Sequence, residues 1–171
     1  MLSGIIEGDA AKRMLRHAID DSDVLRVSFS TSFEWFRALE MAGLYEETKQ
    51  EMARWAALPK EGSTTCPETP TNSRSECHAW SALPIYELMV SMAGVRTQNR
   101  RVEIRPNLSY LPDLKGQAIT PFGAVGFRYW KEDEIAHYEI TLEENMEAAL
   151  ICADGRNIRL SGGTAIVTEN I

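Results

Sequence analysis

The spacing of apolar residues changes once along this chain, near Val95, and that change limits the fold more than any other feature. Before it, apolar residues recur at the three- and four-residue intervals of amphipathic helices. After it, they alternate as in half-buried strands. Helices first and strands second argue for two segregated parts rather than interleaved βαβ units. The expectation is an α+β chain, with residues 1–97 helical and residues 98–171 an antiparallel β-sandwich or barrel.

Local signals set the expected helix ends. Asp9 is placed to cap a first helix whose inward face is Ala10, Met14, Leu15, Ala18 and Ile19. Thr31 and Glu34 have capping-box spacing before Phe36 and Leu39, and Gly43 stands where a left-handed cap is wanted. A third helix is expected over 44–58, turned inward through Tyr45, Met52, Trp55 and Ala56 and ended by Pro59. A fourth is expected from about Ser75 to Ala93, kinked at Pro84. The alternating segments then fall at 101–105, 117–120, 124–130, 134–142, 148–152, 157–160 and 164–168. Asp154-Gly155-Arg156-Asn157 and Ser161-Gly162-Gly163 read as hairpin turns between them.

Composition narrows the function classes. A net charge of −7 disfavours nucleic acid, which needs a basic face. No apolar run approaches the roughly 18 residues of a membrane span, and no signal peptide is visible at the N-terminus. Cys66, Cys77 and Cys152 are too few for a disulfide framework and too poorly spaced for structural zinc, so neither metal nor cofactor is expected. The histidines, His17, His78 and His137, are far apart. Acidic residues alone specify no calcium site. A Ser81, His78, Glu68 triad lacks the strained elbow that a serine nucleophile uses.

Residues 62–84 are the segment most charged with chemistry. Gly, Pro, Ser, Thr and Asn make the first half a long polar loop, and such loops inside compact domains are usually functional. Glu68 on this loop has the residue type of a general base, followed by His78 and Trp80. Trp35, beside Phe33 and Phe36, reads either as core or as a platform for a sugar ring.

Gly62-Ser63-Thr64-Thr65-x-x-Glu68 followed by Ser75-Glu76-Cys77-His78-Ala79-Trp80-Ser81-Ala82-x-Pro84 resembles the late catalytic-domain segment of bacterial inverting α-L-rhamnosidases. Ile104-Arg105-Pro106 and Ile119-Thr120-Pro121-Phe122-Gly123 extend the likeness toward that family's C-terminal β-domain. The resemblance implies the last helices of an α/α-barrel plus a β-sandwich, hydrolysing terminal α-L-rhamnosyl linkages. It implies Glu68 as the water-activating base and His78 as a sugar contact, with Glu76 a rival base; Trp35 and Trp80 are further candidate sugar contacts by residue type alone. Cys66-Pro67 stand where the family usually has an aromatic residue.

Nothing in residues 1–61 matches the family's acid motif, so the expectation is a C-terminal fragment that is inactive alone and completed by an N-terminal part of the same enzyme. Its expected partner is a rhamnose-containing glycoside, with self-association through uncovered helix faces and a parent enzyme that is periplasmic or secreted, with a cytoplasmic parent as the alternative. The alternative is a carbohydrate-binding or structural accessory module, with Tyr129 and Trp130 as stacking residues.

Overall fold

The computed structural model describes residues 2–171. The chain divides into two compact units, Met1–Pro84 and Ile85–Ile171. Helices come first and strands second, an α+β arrangement.

In the first unit, α1 is Gly8–Asp20, α2 is Ser32–Met41 and α3 is Thr48–Ala57, with 3₁₀ turns at Tyr45–Glu47 and Leu58–Glu61. One cluster gathers Phe29, Phe36, Trp55, Leu58 and Leu83, and another gathers Leu15, Ala38, Leu39 and Leu44. Trp35 packs against both. Phe29 and Trp55 lie 4.6 Å apart, tilted as aromatic pairs prefer.

Several sequence expectations shift here. Glu7 is the cap residue of α1 and Asp9 sits in its first turn, where a carboxylate suits the helix dipole. Ala11 and Leu15 are buried, whereas Met14 is exposed. Thr31 makes no capping bond to α2; its hydroxyl pairs with that of Ser28 at 2.9 Å. The α-helix of the third segment ends at Ala57, just before Pro59 as expected, and winding continues as a 3₁₀ helix whose first turn accommodates the proline. Gly62, at φ 86°, ends that 3₁₀ helix.

The expected fourth helix is the largest correction. Residues 62–82 stay irregular apart from a 3₁₀ turn at Ala79–Ser81, and α4 is only Leu83–Tyr86, continued as a π-helical turn over Glu87–Met92. Pro84 therefore sits one residue inside a helix start, where its missing N–H costs nothing, rather than at a kink.

The second unit is built on strands β1 (Val95–Gln98), β2 (Arg101–Ile104), β3 (Asp113–Thr120), β4 (Gly123–Glu132), β5 (Ile135–Ile151) and β6 (Asn157–Asn170). They form one sheet in the order β1-β2-β5-β4-β3, with β6 also paired to β5. Every pairing is antiparallel except β2 with β5. Alternation puts Val125, Phe127 and Tyr129 of β4 with Ala136, Tyr138, Ile140 and Leu142 of β5 in one core, and Val102, Ile104, Leu150 and Leu160 complete it.

Two pairs of expected strands are each one long strand. The β5–β6 register shifts between Leu142 and Glu147, and the strand bends there. Ser161-Gly162-Gly163 is accordingly no hairpin turn but part of β6 opposite that bend. A Cβ on Gly162 would lie 2.2 Å from the carbonyl oxygen of Glu144, so only glycine lets the two backbones pass.

Candidate functional site

The 62–82 loop is irregular but firmly tied. Two backbone rungs fold it on itself: Glu68 N–H donates to Ser75 O at 2.9 Å, and His78 N–H to Cys66 O at 2.8 Å. The Thr65 hydroxyl donates to the carbonyl of Glu76. The Ser73 hydroxyl donates to Ser75 O at 2.7 Å and accepts from Glu68 N–H at 3.1 Å. Two further bonds fasten the loop to the helices: Trp55 Nε1–H to Ser81 O at 2.7 Å, and Ser30 N–H to Glu68 O at 3.3 Å. Pro67 is buried and Cys66 packs against the Phe29–Trp55 cluster. Asn72, at φ 50°, turns the chain at the tip.

This folding brings three of the four expected site residues together. The Glu68 side chain is 17% exposed, and its carboxylate takes a 2.6 Å bond from Arg74 Nη2. The hydrogen bond and charge of Arg74, with a smaller contribution from His78, hold the Glu68 carboxyl below its ordinary range, against the opposing effect of burial. His78 stands edge-on to Trp80, ring centroids 5.8 Å apart. Trp80 is 76% exposed, an indole offered to solvent. Glu76 is exposed.

Trp35 lies elsewhere in the unit. It borders a hollow beside the 18–27 segment, whose lining includes none of Glu68, His78 and Trp80. Arg74 went unnoticed in the sequence; a guanidinium six residues beyond a loop carboxylate was the available signal.

The second unit corrects one stacking expectation. Tyr129 is fully buried and its hydroxyl donates to Ala93 O at 3.2 Å, so it is core. Trp130 stacks on His137 at 4.7 Å with ring planes 4° apart, and the Arg128 guanidinium lies 5.0 Å from its centroid. Near the β5–β6 turn, Cys152, Asp154 and Glu169 bring their ligand atoms within 4.8 Å of one another. Internal partners already occupy the two carboxylates: Glu169 accepts from Tyr138 and two backbone N–H groups, and Asp154 pairs with Arg156 at 2.5 Å. No helix among the described residues is long and apolar enough to cross a membrane.

No family model matches the chain, nor does any curated relative. Solved structures do match it. An α-L-rhamnosidase from Aspergillus terreus superposes with a TM-score of 0.74 at 15% identity, over 93% of this chain and 21% of that one. The chain shares its fold with part of an α-L-rhamnosidase. The Dictyoglumus thermophilum α-L-rhamnosidase gives 0.69 at 18% identity, covering 95% of this chain and 23% of that one. The Streptomyces avermitilis α-L-rhamnosidase, solved with L-rhamnose, gives 0.61 at 16% identity, covering 79% and 17%. The chain thus spans about a fifth of each rhamnosidase it matches.

Proposed function

We propose that this chain forms the C-terminal part of an inverting α-L-rhamnosidase-like glycoside hydrolase, with Glu68 as the general base. The observation that supports this best is the coincidence of two things. The fold likeness covers nearly the whole chain, and the motif that resembles the family's base loop is a tied structure presenting Glu68, His78 and Trp80 together.

In an inverting reaction the base takes a proton from water as the water oxygen bonds the anomeric carbon. An acid on the opposite face protonates the departing glycosidic oxygen, the two carboxyl groups standing about 6.5–9.5 Å apart. Glu68 suits the first role. Arg74 keeps it ionised and fixes its direction, so the base form is present without a prior proton loss. The exposed face of Trp80 suits the apolar side of a deoxysugar ring, with His78 beside it as hydrogen-bond partner. The acid belongs to a part of the enzyme other than this chain, so the chain alone turns over no glycoside.

Titrating ¹⁵N-labelled protein with L-rhamnose tests the placement. Saturable shifts of the backbone of 65–82 and of the Trp80 indole N–H are expected. Shifts absent there, or turnover of an aryl α-L-rhamnoside by the chain alone, would overturn the reading.

A further inference from the structure

The hollow bordered by Trp35 lies where the end of α1, the 20–27 segment and α3 meet, with a volume of about 540 Å³. That is within the range of small-ligand sites. Trp35, half-buried, borders it together with Gln50 and Glu51 of α3. Glu51 is only 6% exposed and is held by two guanidinium groups, Arg26 Nη1 at 2.7 Å and Arg54 Nη1 at 2.5 Å.

Of the other carboxylates around this hollow, Asp20 is exposed to solvent and two are matched. Glu47 pairs with Arg16 at 3.2 Å, and Asp21 accepts the Asp23 N–H at 2.9 Å and lies 3.6 Å from His17. Most of the charge is thus spoken for within the protein, which leaves little attraction for a cation or an anion. What the hollow offers instead is a flat indole and donors and acceptors fixed by ion pairing. That combination suits an uncharged ring with hydroxyl groups on its rim and an apolar face.

We propose that this hollow is a second saccharide site, separate from the Glu68 loop, with Trp35 as the stacking surface and Arg26, Glu51 and Gln50 as hydroxyl partners. Ile19 and Val24 add apolar surface on its border that suits the methyl group of a 6-deoxy sugar. The choice of a rhamnosyl ligand rests on the function proposed above; the hollow itself does not.

The test uses ¹⁹F NMR of the full chain labelled with 5-fluorotryptophan. Its four tryptophans, Trp35, Trp55, Trp80 and Trp130, give four signals, assigned by Trp→Phe variants. The titrants are methyl α-L-rhamnopyranoside and a rhamnose-containing disaccharide. A saturable shift of the Trp35 signal is expected, whether or not the Trp80 signal also moves. Movement of Trp80 alone overturns this second site and leaves the Glu68 reading standing, whereas movement of neither overturns both. Arg26→Ala leaves Glu51 paired with Arg54 and so preserves the fold. It should weaken the Trp35 response at least tenfold, and an unchanged affinity would refute the assignment.

Discussion

Glu169→Ala should cost the sheet unit about 1.5–4 kcal/mol, and the structure shows where that figure comes from. Glu169 lies near the end of β6 and is 4% exposed. Its carboxyl group accepts the Tyr138 hydroxyl and the N–H groups of Ala153 at 3.1 Å and Asp154 at 3.3 Å. Burial, and then Glu169 itself, push the Tyr138 hydroxyl well above its ordinary pKa, so it stays protonated and donates. The two turn N–H groups belong to exposed residues, and water replaces Glu169 there at a cost of roughly 0.5–1 kcal/mol. Tyr138 is 3% exposed and would be left with an unsatisfied hydroxyl, costing roughly 1–3 kcal/mol more. Amide hydrogen exchange at Ile140 and Leu150, both deep in the core, reads the loss within this unit alone. Protection there should fall about ten- to a thousandfold. Adding Tyr138→Phe should recover part of the loss, because the stranded hydroxyl is gone. A loss below about 1 kcal/mol, or strictly additive variants, would refute the role given to this buried carboxyl group.

Two other outcomes follow from single contacts. Arg74→Ala removes the main influence lowering the Glu68 pKa, so the acid limb of kcat/KM in an enzyme containing this chain should move to higher pH; an unmoved limb would separate Glu68 from catalysis. By the same linkage, the stabilisation Glu68 gains from Arg74 is present above its unfolded-state pKa and is lost as pH falls through its folded pKa. Gly94→Ala should destabilise the sheet unit by more than about 2 kcal/mol in the same exchange assay, because φ is +72° and the new Cβ would lie 1.8 Å from the Arg105 carbonyl oxygen.

The periodicity change near Val95 was enough to separate helices from strands, because alternation in β4 and β5 directly reports which side chains enter the core. What it could not report was non-local. The parallel pairing of β2 with β5 is set by a chain-distant contact, and the union of 134–142 with 148–152 depends on a bend that alternation reads as a break. The helix expected from Ser75 failed for a local reason. His78 N–H is committed to Cys66 O and Glu76 O to the Thr65 hydroxyl, so that backbone is spent on the loop before a helix can use it. In the candidate site, Glu68, His78 and Trp80 were visible as residue types, while Arg74 depended on a turn at Asn72 that only the folded loop reveals. Trp35 was noticed for its aromatic neighbours, but the ion-paired Glu51 beside its hollow draws its partners from two separate segments.

The base assignment is tested most directly by steady-state kinetics on an aryl α-L-rhamnoside, in the complete enzyme of which this chain is proposed to be part. Glu68→Gln should lower kcat about 10²–10⁴-fold with little change in KM, while Glu76→Gln stays within about threefold of the parent. Near-normal kcat in Glu68→Gln, or the large loss appearing in Glu76→Gln instead, would contradict it.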